Sequence, residues 1–375
     1  MNHREEIENS QQSMKRKQYI FILVFIGLAV ALSACTGAAN TATSWPGLTV
    51  DDQYAYVAYN TRVYAVDLTN GNEKWRYPAE ADNNITFYAD PELTADGQVI
   101  AGSYDYNLYS LDSENGVQNW VFSDAKNRYI ASSLADNGSI FAPAADENLY
   151  SLDLEGKLQW KFTTEGESWA QPITDEDCGC LFLSSMDHSI YAINLQDGTE
   201  KWHSEKLGGA IVGTPAYNND GVLYVGTFGG KLYALSAENG AVIWEFTTQD
   251  EGWIWSGPTI SDGVLYFGDL NGYFYAVDAI NGTQNWQLPP EQLDGEIVGS
   301  PLVIDQDIYV TSEEGILFKL DTSGRIQWSQ PIGGNIYTAP VAAGDLILVA
   351  PIQIDELLIA VNQDGVRQWT FIPAE

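Results

Sequence analysis

The side chains best suited to chemistry are scarce in this chain of 375 residues. Histidine occurs at His3, His188 and His203 only. From so few, we can assemble no Ser/His/Asp set, no pair of histidine metal ligands and no glycine-rich phosphate loop. The loop acids do not follow the spacing of an EF-hand-like calcium loop. The sequence therefore predicts no catalytic residues and no metal site.

Two of the three cysteines lie close together. Cys178 and Cys180 are separated by Gly179, at a turn where other parts of the chain carry Asp-Gly pairs. In an oxidising compartment they could form a small disulfide ring, and two free thiols are the alternative. We expect this turn on the face of the molecule opposite to the aromatic residues described next, so we assign it no cofactor role.

Aromatic side chains recur three positions before a proline. They are Tyr88, Trp169, Trp255 and Tyr337, and Trp253 lies two residues before Trp255. Because side chains two residues apart on a strand face the same side, we predict that Trp253 and Trp255 point the same way. Between these positions, the corresponding residues are the smaller Ile130, Val212 and Val298.

Acidic residues accompany the aromatic positions in the neighbouring loops: Glu80, Asp82, Asp124, Glu165, Glu167, Asp250, Glu251, Asp294 and Glu296. Two interpretations of this region stay open. The alternating large and small residues could simply fill the taper of a ring. Alternatively, the aromatic residues and acids could form a binding mouth for a peptide, a strand or a sugar, because aromatic side chains are favoured at binding hot spots.

A repeat positions all these residues. Tryptophan recurs at intervals of 40 to 45 residues, each time four positions after a glycine, at Trp75, Trp120, Trp160, Trp202, Trp244, Trp286, Trp328 and Trp369. A period of this length indicates a repeat architecture. Within each unit, short runs rich in Val, Leu and Tyr alternate with turn residues, as in 221–227 and 231–235, which is typical of strands.

The repeat predicts an all-β, eight-bladed β-propeller of four-stranded antiparallel blades. A linear β-solenoid is the alternative, but its repeats would normally be shorter. A proline in the first strand of most units fits an inner edge strand. We expect a two-residue turn with positive φ at both residues between the third and fourth strands, as at Asn239-Gly240. The pattern leaves open whether the ring closes within blade eight or borrows an N-terminal strand.

The unit Gly-x-[Leu/Ile]-Tyr-Val-Gly, Leu-Tyr-Ala-Leu-Asp and Asn-Gly-x-x-x-Trp-x-Phe resembles the PQQ-like (quinoprotein-type) propeller repeat, from about residue 45 to 372. The resemblance implies that the eight repeated tryptophans dock between neighbouring blades. Quinoprotein dehydrogenases of this fold hold PQQ with calcium and a disulfide between adjacent cysteines. Cys178 and Cys180 are not adjacent, so we expect neither PQQ nor calcium.

The N-terminus has the features of an export signal. Lys15, Arg16 and Lys17 precede an uncharged, mostly apolar run, and Met14 is an alternative start. The run ends in 32–35, Leu-Ser-Ala-Cys, which resembles a bacterial lipoprotein cleavage motif and implies lipidation of Cys35. We therefore expect a signal peptide at 1–34, a lipidated Cys35 and flexible tether at 35–44, and one propeller domain at 45–375.

The net charge of −34 disfavours nucleic acid, because a phosphate backbone requires a basic footprint. The acids are scattered, which fits either a solvated surface or a docking face for a basic partner.

The signal and the propeller together resemble the BamB family of lipoproteins, which serves β-barrel assembly in the outer membrane. The resemblance implies a non-enzymatic, lipid-anchored scaffold in the cell envelope that binds a protein partner and works as a monomer within a complex. It faces the periplasm from the outer membrane in a diderm cell, and otherwise lies on the outer face of the plasma membrane. The alternatives are a ligand-binding or sensing lipoprotein that holds a peptide or glycan at the aromatic mouth, and a PQQ-dependent dehydrogenase.

Overall fold

The computed structural model describes residues 44–374, and within them it confirms the eight-bladed propeller. Each blade is an antiparallel sheet of four strands that follow one another in the chain. The predicted signal peptide, Cys35 and the tether up to residue 43 lie outside the described residues. No helix within 44–374 combines the length and the apolar character that crossing a membrane requires.

The strands are numbered β1 to β32 in chain order, four to a blade. Blades one to four contain Gly47–Val50, Tyr54–Tyr59, Arg62–Asp67, Glu73–Tyr77; Glu92–Leu93, Gln98–Gly102, Leu108–Asp112, Gln118–Phe122; Leu134–Asp136, Ser139–Ala144, Asn148–Asp153, Leu158–Thr163; Ile173–Asp175, Cys180–Ser184, Ile190–Asn194, Glu200–His203. Blades five to eight contain Ala216–Tyr217, Val222–Gly226, Lys231–Ser236, Val242–Thr247; Thr259–Ser261, Val264–Gly268, Phe274–Asp278, Gln284–Leu288; Leu302–Ile304, Asp307–Ser312, Ile316–Asp321, Ile326–Pro331; Val341–Ala343, Leu346–Val349, Leu358–Asn362, Arg367–Phe371. Two short helical turns, Gln249–Glu251 (3-10) and Pro290–Leu293 (α), lie in the loops before blades six and seven.

The first strand of each blade lies nearest the axis, and the fourth lies at the rim. First strands of neighbouring blades contact one another, as β17 contacts β21 and β1 contacts β29. Fourth strands such as β12 and β20 alternate between exposed and half-buried residues. The segments that lead into the first strands therefore surround one mouth of the central channel.

The hydrophobic core is divided among the interfaces between blades. Among the described residues, eight buried apolar clusters each combine side chains of two neighbouring blades. Between blades one and eight, for example, Val57 and Tyr64 pack with Leu348 and Leu358. Burying a side chain of this kind contributes about 1.5–3 kcal/mol. The ring is thus held together mainly by contacts that no single blade makes alone.

The eight repeated tryptophans lie at these interfaces. Each indole N–H donates a hydrogen bond of 2.8–3.2 Å to a backbone carbonyl in the next blade. Each ring also lies against the repeated glycine of that blade, as Trp75 lies against Gly116. A Cβ on Gly116 would come 2.6 Å from the Trp75 ring, so a side chain there would overlap the indole.

The ring closes between blades eight and one without exchanging a strand. Blade eight consists of β29 to β32 alone. The Trp369 indole donates to the Leu68 carbonyl at 2.8 Å, and Arg76 donates to the Ala374 carbonyl at 3.0 Å. The seam therefore uses the same tryptophan contact as the other interfaces.

The turn between the third and fourth strands is longer than we predicted. In blade five, Ser236 N bonds to Ala241 O and Gly240 N bonds to Ser236 O, which encloses a four-residue loop. Only Gly240 has positive φ there, and the strand pairing shifts by one residue just before the turn, after Ala234. The two-residue turn with both φ positive occurs instead between first and second strands, as at Asn137-Gly138.

Candidate functional site at the channel mouth

A cavity of about 210 Å³ lies at the mouth of the channel, where the chain enters the first strands. Residues three positions and one position before the blade prolines line it in two layers. Alternation explains the layering, because residues two apart in an extended segment face the same side. In blade two, this rule places Tyr88, Asp90 and Glu92 on the channel side.

The outer layer contains four of the five predicted mouth residues. Tyr88, Trp169, Trp255 and Tyr337 all line the cavity. Hydrogen bonds orient two of them: the Trp169 indole donates to Glu167 at 2.7 Å, and the Tyr337 hydroxyl donates to Glu313 at 2.7 Å. Burial, together with that bond, raises the pKa of Tyr337 to about 12.

The smaller residues of the odd-numbered blades complete this layer. Ile130, Val212 and Val298 also line the cavity, and each is buried. The alternation of size therefore packs the wall between the aromatic side chains.

Trp45 is a lining residue that the sequence analysis missed. Its ring stacks on Tyr337 at 4.8 Å and lies 5.4 Å from Trp255 and 5.7 Å from Tyr88. The preceding residue is fixed as well, because Asn60 N donates to the Ser44 hydroxyl at 2.6 Å. The described chain thus begins at the mouth, with one indole between aromatic residues of three other blades.

The inner layer is polar. It contains Asp90, Ser132, Gln171, Thr214 and Ser300. Leu48 N donates to Asp90 Oδ1 at 2.8 Å, whereas Asp90 Oδ2 has only a long contact of 3.5 Å with the Ser132 hydroxyl. The Asp90 side chain is exposed to the channel, but the protein atoms that surround it on all sides reduce its hydration and raise its pKa.

A second carboxylate, Glu92, lies one step further along the same strand. Ala135 N donates to Glu92 Oε1 at 3.0 Å, and the Gln171 amide donates to Oε2 at 3.1 Å. Burial raises the pKa of Glu92 to about 7, despite these bonds. The channel wall therefore contains two carboxyl groups whose charge is disfavoured by their surroundings.

Ser256 contributes an unpaired polar group to the wall. It is 7% exposed, it lines the cavity, and its hydroxyl has no hydrogen-bond partner among the described residues. A buried hydroxyl without a partner is costly, so such a group commonly marks a place for water or a ligand.

Trp253, the fifth predicted residue, lies outside the cavity. It is 52% exposed and stacks on Phe228 at 5.1 Å, and Phe228 in turn contacts Trp255 at 5.2 Å. The two tryptophans thus both contact Phe228, but only Trp255 lines the cavity, and Trp253 forms an exposed aromatic surface beside the mouth.

Two side chains outside the cavity support the Tyr88 ring on the wall formed by blade two. Tyr88 stacks on Tyr104 at 5.6 Å, and the Arg128 guanidinium lies 5.0 Å from the centre of the Tyr104 ring. Arg128 is outside the cavity lining. This stack is held by a cation–π contact at its outer end.

The turn that contains the two cysteines lies on the face of the propeller opposite to the channel mouth. Cys178 and Cys180 form a disulfide in the turn between β13 and β14, at the other end of the strands. Within residues 44–374, no three His, Cys, Asp or Glu side chains are grouped so that they could hold a metal ion.

Comparisons with known proteins agree on the fold. The family model described as outer membrane protein assembly factor BamB matches residues 27–185, 186–303 and 291–374. Among solved structures, BamB from Moraxella catarrhalis aligns with a TM-score of 0.67 at 19% identity, over 88% of this chain and 94% of that one. The computationally designed Ika8 protein aligns with a TM-score of 0.69 at 12% identity, over 89% and 98% of the two chains.

A quinohemoprotein alcohol dehydrogenase from Pseudomonas putida aligns with a TM-score of 0.66 at 14% identity, over 89% of this chain and 77% of that one. We found no match to the chain among curated protein sequences. At these identities, the structural likenesses describe the fold alone.

Proposed function

The chain belongs to the family described as outer membrane protein assembly factor BamB, and on that premise we propose that it is a non-enzymatic scaffold for protein–protein interaction in the cell envelope. Its partner would belong to the machinery that assembles outer-membrane β-barrel proteins. Cys35 would carry the lipid anchor that keeps the propeller at the membrane. The observation that carries the proposal is the family match over nearly the whole length of the propeller.

The surface around the channel mouth supports this proposal. Trp253 is half exposed, and Phe228 holds its ring flat at an interplanar angle of 14°. A rigid, exposed tryptophan suits an interface hot spot, because it buries a large area with little loss of conformational freedom. The exposed acids Asp250 and Glu251 lie in the same loop, so the partner surface should combine an apolar pocket with basic residues.

A cross-linking experiment tests the proposal. We would replace Trp253 by the photo-reactive amino acid p-benzoylphenylalanine in living cells and identify the adducts by mass spectrometry. Ile280 provides the control, because it is 83% exposed and lies in a turn on the opposite face. We expect an adduct with a component of the β-barrel assembly machinery from position 253 and none from position 280. Equal labelling from both positions, or no adduct from position 253, would contradict the proposal.

A ligand-binding role at the mouth is the second candidate function. The cavity favours it, because five aromatic side chains, four of them predicted, line it. The two functions are compatible, since Trp253 lies outside the cavity.

A further inference from the structure

The cavity at the channel mouth combines aromatic walls with one carboxylate. Trp45, Tyr88, Trp169, Trp255 and Tyr337 supply the aromatic surface. Aromatic faces carry partial negative charge and attract cations, most strongly where the site is shielded from water. Walls of this kind favour a ligand that is both apolar and positively charged.

Asp90 supplies the charge. It is the only ionisable Asp, Glu, Lys, Arg or His among the described residues that line the cavity. Its Oδ1 atom accepts the Leu48 amide, whereas Oδ2 has only the long contact with Ser132. One carboxylate oxygen therefore remains available to a ligand. The Asp90 side chain is exposed to the channel, and no cationic side chain lines the cavity among the described residues, so a bound cation would supply the missing counter-charge.

An organic cation fits these groups better than a metal ion does. Calcium takes about six to eight oxygen ligands, and magnesium about six in strict octahedral geometry. The cavity instead offers one free carboxylate oxygen, the neutral oxygens of the inner layer and five aromatic side chains, and within residues 44–374 no three Asp, Glu, His or Cys side chains are grouped around it. An alkylated ammonium ion needs no such ligand set, because its methyl groups pack against the rings while its charge faces the carboxylate.

The open volume of about 210 Å³ limits the ligand to a small cation. Choline is such a cation, and its trimethylammonium group presents three methyl groups to the aromatic side chains.

We propose that this cavity binds a small quaternary ammonium ion of the choline type, held between the aromatic walls and Asp90. Trp45 contacts Tyr88, Trp255 and Tyr337 across the mouth, and so it forms the outer wall of the site. This inference is independent of the scaffold function, because it uses the channel and not the exposed face of Trp253.

Calorimetric titration with two matched probes tests the proposal. Choline and 3,3-dimethylbutan-1-ol have nearly the same shape, but only choline is charged. Both would be titrated into the purified protein at about 0.15 M ionic strength, so that the general attraction of the acidic surface is screened. We expect choline to bind at least about tenfold more tightly than the neutral alcohol. Equal affinity for the two probes, or no binding of choline, would overturn the proposal.

A pair of variants locates the site. Asp90→Asn keeps the shape of the side chain and removes its charge, so we expect it to lower choline affinity about tenfold or more and to abolish the preference over the alcohol. Asp262→Asn makes the same change of charge at an exposed turn on the opposite face, where Asn tolerates the positive φ of 48°. We expect it to leave choline binding unchanged. An equal loss of affinity in both variants would show that general surface charge, and not the cavity, attracts choline.

Discussion

Replacing Trp75 should test how the blades are held together. Trp75 is 7% exposed, and its ring lies 5.9 Å from Tyr56 and against Gly116 of the next blade. Removing a buried aromatic ring of this size costs about 3–5 kcal/mol in free energy of unfolding. We expect Trp75→Ala to lose that amount, because the glycine opposite cannot fill the space.

The hydrogen bond of Trp75 can be separated from its packing. The indole N–H donates to the Ser113 carbonyl at 2.9 Å, whereas the nearby Tyr56 hydroxyl donates its one proton to Asp51 at 2.7 Å. In Trp75→Phe, the carbonyl would lose its indole donor, but a six-membered ring would remain between the blades. We therefore expect this variant to lose only about 1–2 kcal/mol.

The free energy of unfolding would be measured by urea titration, with circular dichroism as the signal. Trp253→Ala is the control, because Trp253 is 52% exposed, stacks only on Phe228 and belongs to none of the eight buried clusters. A surface change of this kind should alter stability by no more than about 0.5 kcal/mol. If Trp75→Ala were as stable as Trp253→Ala, the repeated tryptophan would not hold neighbouring blades together, and the reasoning would fail.

Three further predictions concern glycine, pH and the membrane. Gly116→Ala should lower the free energy of unfolding by at least about 2 kcal/mol, because the new Cβ would have positive φ and would overlap the Trp75 ring. Gly138→Ala should lower it by only about 1 kcal/mol, because φ is positive there too but the new Cβ would meet nothing within 4 Å. Urea titration of the two variants compares them. Because folding raises the pKa of Glu92 from 4.5 to about 7, the native state binds the proton more tightly, and its contribution to stability is lost as pH rises between these values. Glu92→Gln should therefore gain about 1–3 kcal/mol over the wild type between pH 5 and pH 8, and parallel pH curves for the two proteins would refute this. Cys35→Ala should move the protein from the membrane fraction to the soluble fraction without unfolding it. Cell fractionation would measure the first effect and circular dichroism the second. A variant that stays with the membranes would rule out lipidation at Cys35 as the anchor.

The sequence predicted most of the architecture, because one signal was repeated eight times. The Gly-x-x-x-Trp interval reports a contact that every blade makes with the next, so the number of blades follows from counting it. Four of the aromatic positions at the mouth were equally predictable, since they occupy one register of the repeat. Trp45 was not, because at the corresponding position other blades carry small or polar residues such as Ser132 and Ser300. The Trp45 ring lies between residues of blades two, six and eight, which come together only when the ring of blades closes.

The orientation of Trp253 shows a different limit. The prediction assumed that strand alternation extends back from Trp255 to Trp253. In the structure, β21 begins only at Thr259, and residues Gln249–Glu251 form a helical turn in which Asp250 and Glu251 have positive φ. Strand alternation therefore does not apply there. The prediction of a two-residue turn between the third and fourth strands was also wrong, because Asn-Gly suits a longer loop as well, in which only the glycine needs positive φ.

Because the ring closes by contacts between blades one and eight, closure must follow synthesis of the whole chain. Trp369 bonds to Leu68, which is made 301 residues earlier, so the seam cannot form until the last blade has been synthesised. Until then, Val57 and Tyr64 of blade one lack the side chains of blade eight that cover them. This apolar edge must be kept from other chains until blade eight has folded, and a chain cut short before blade eight would expose it permanently.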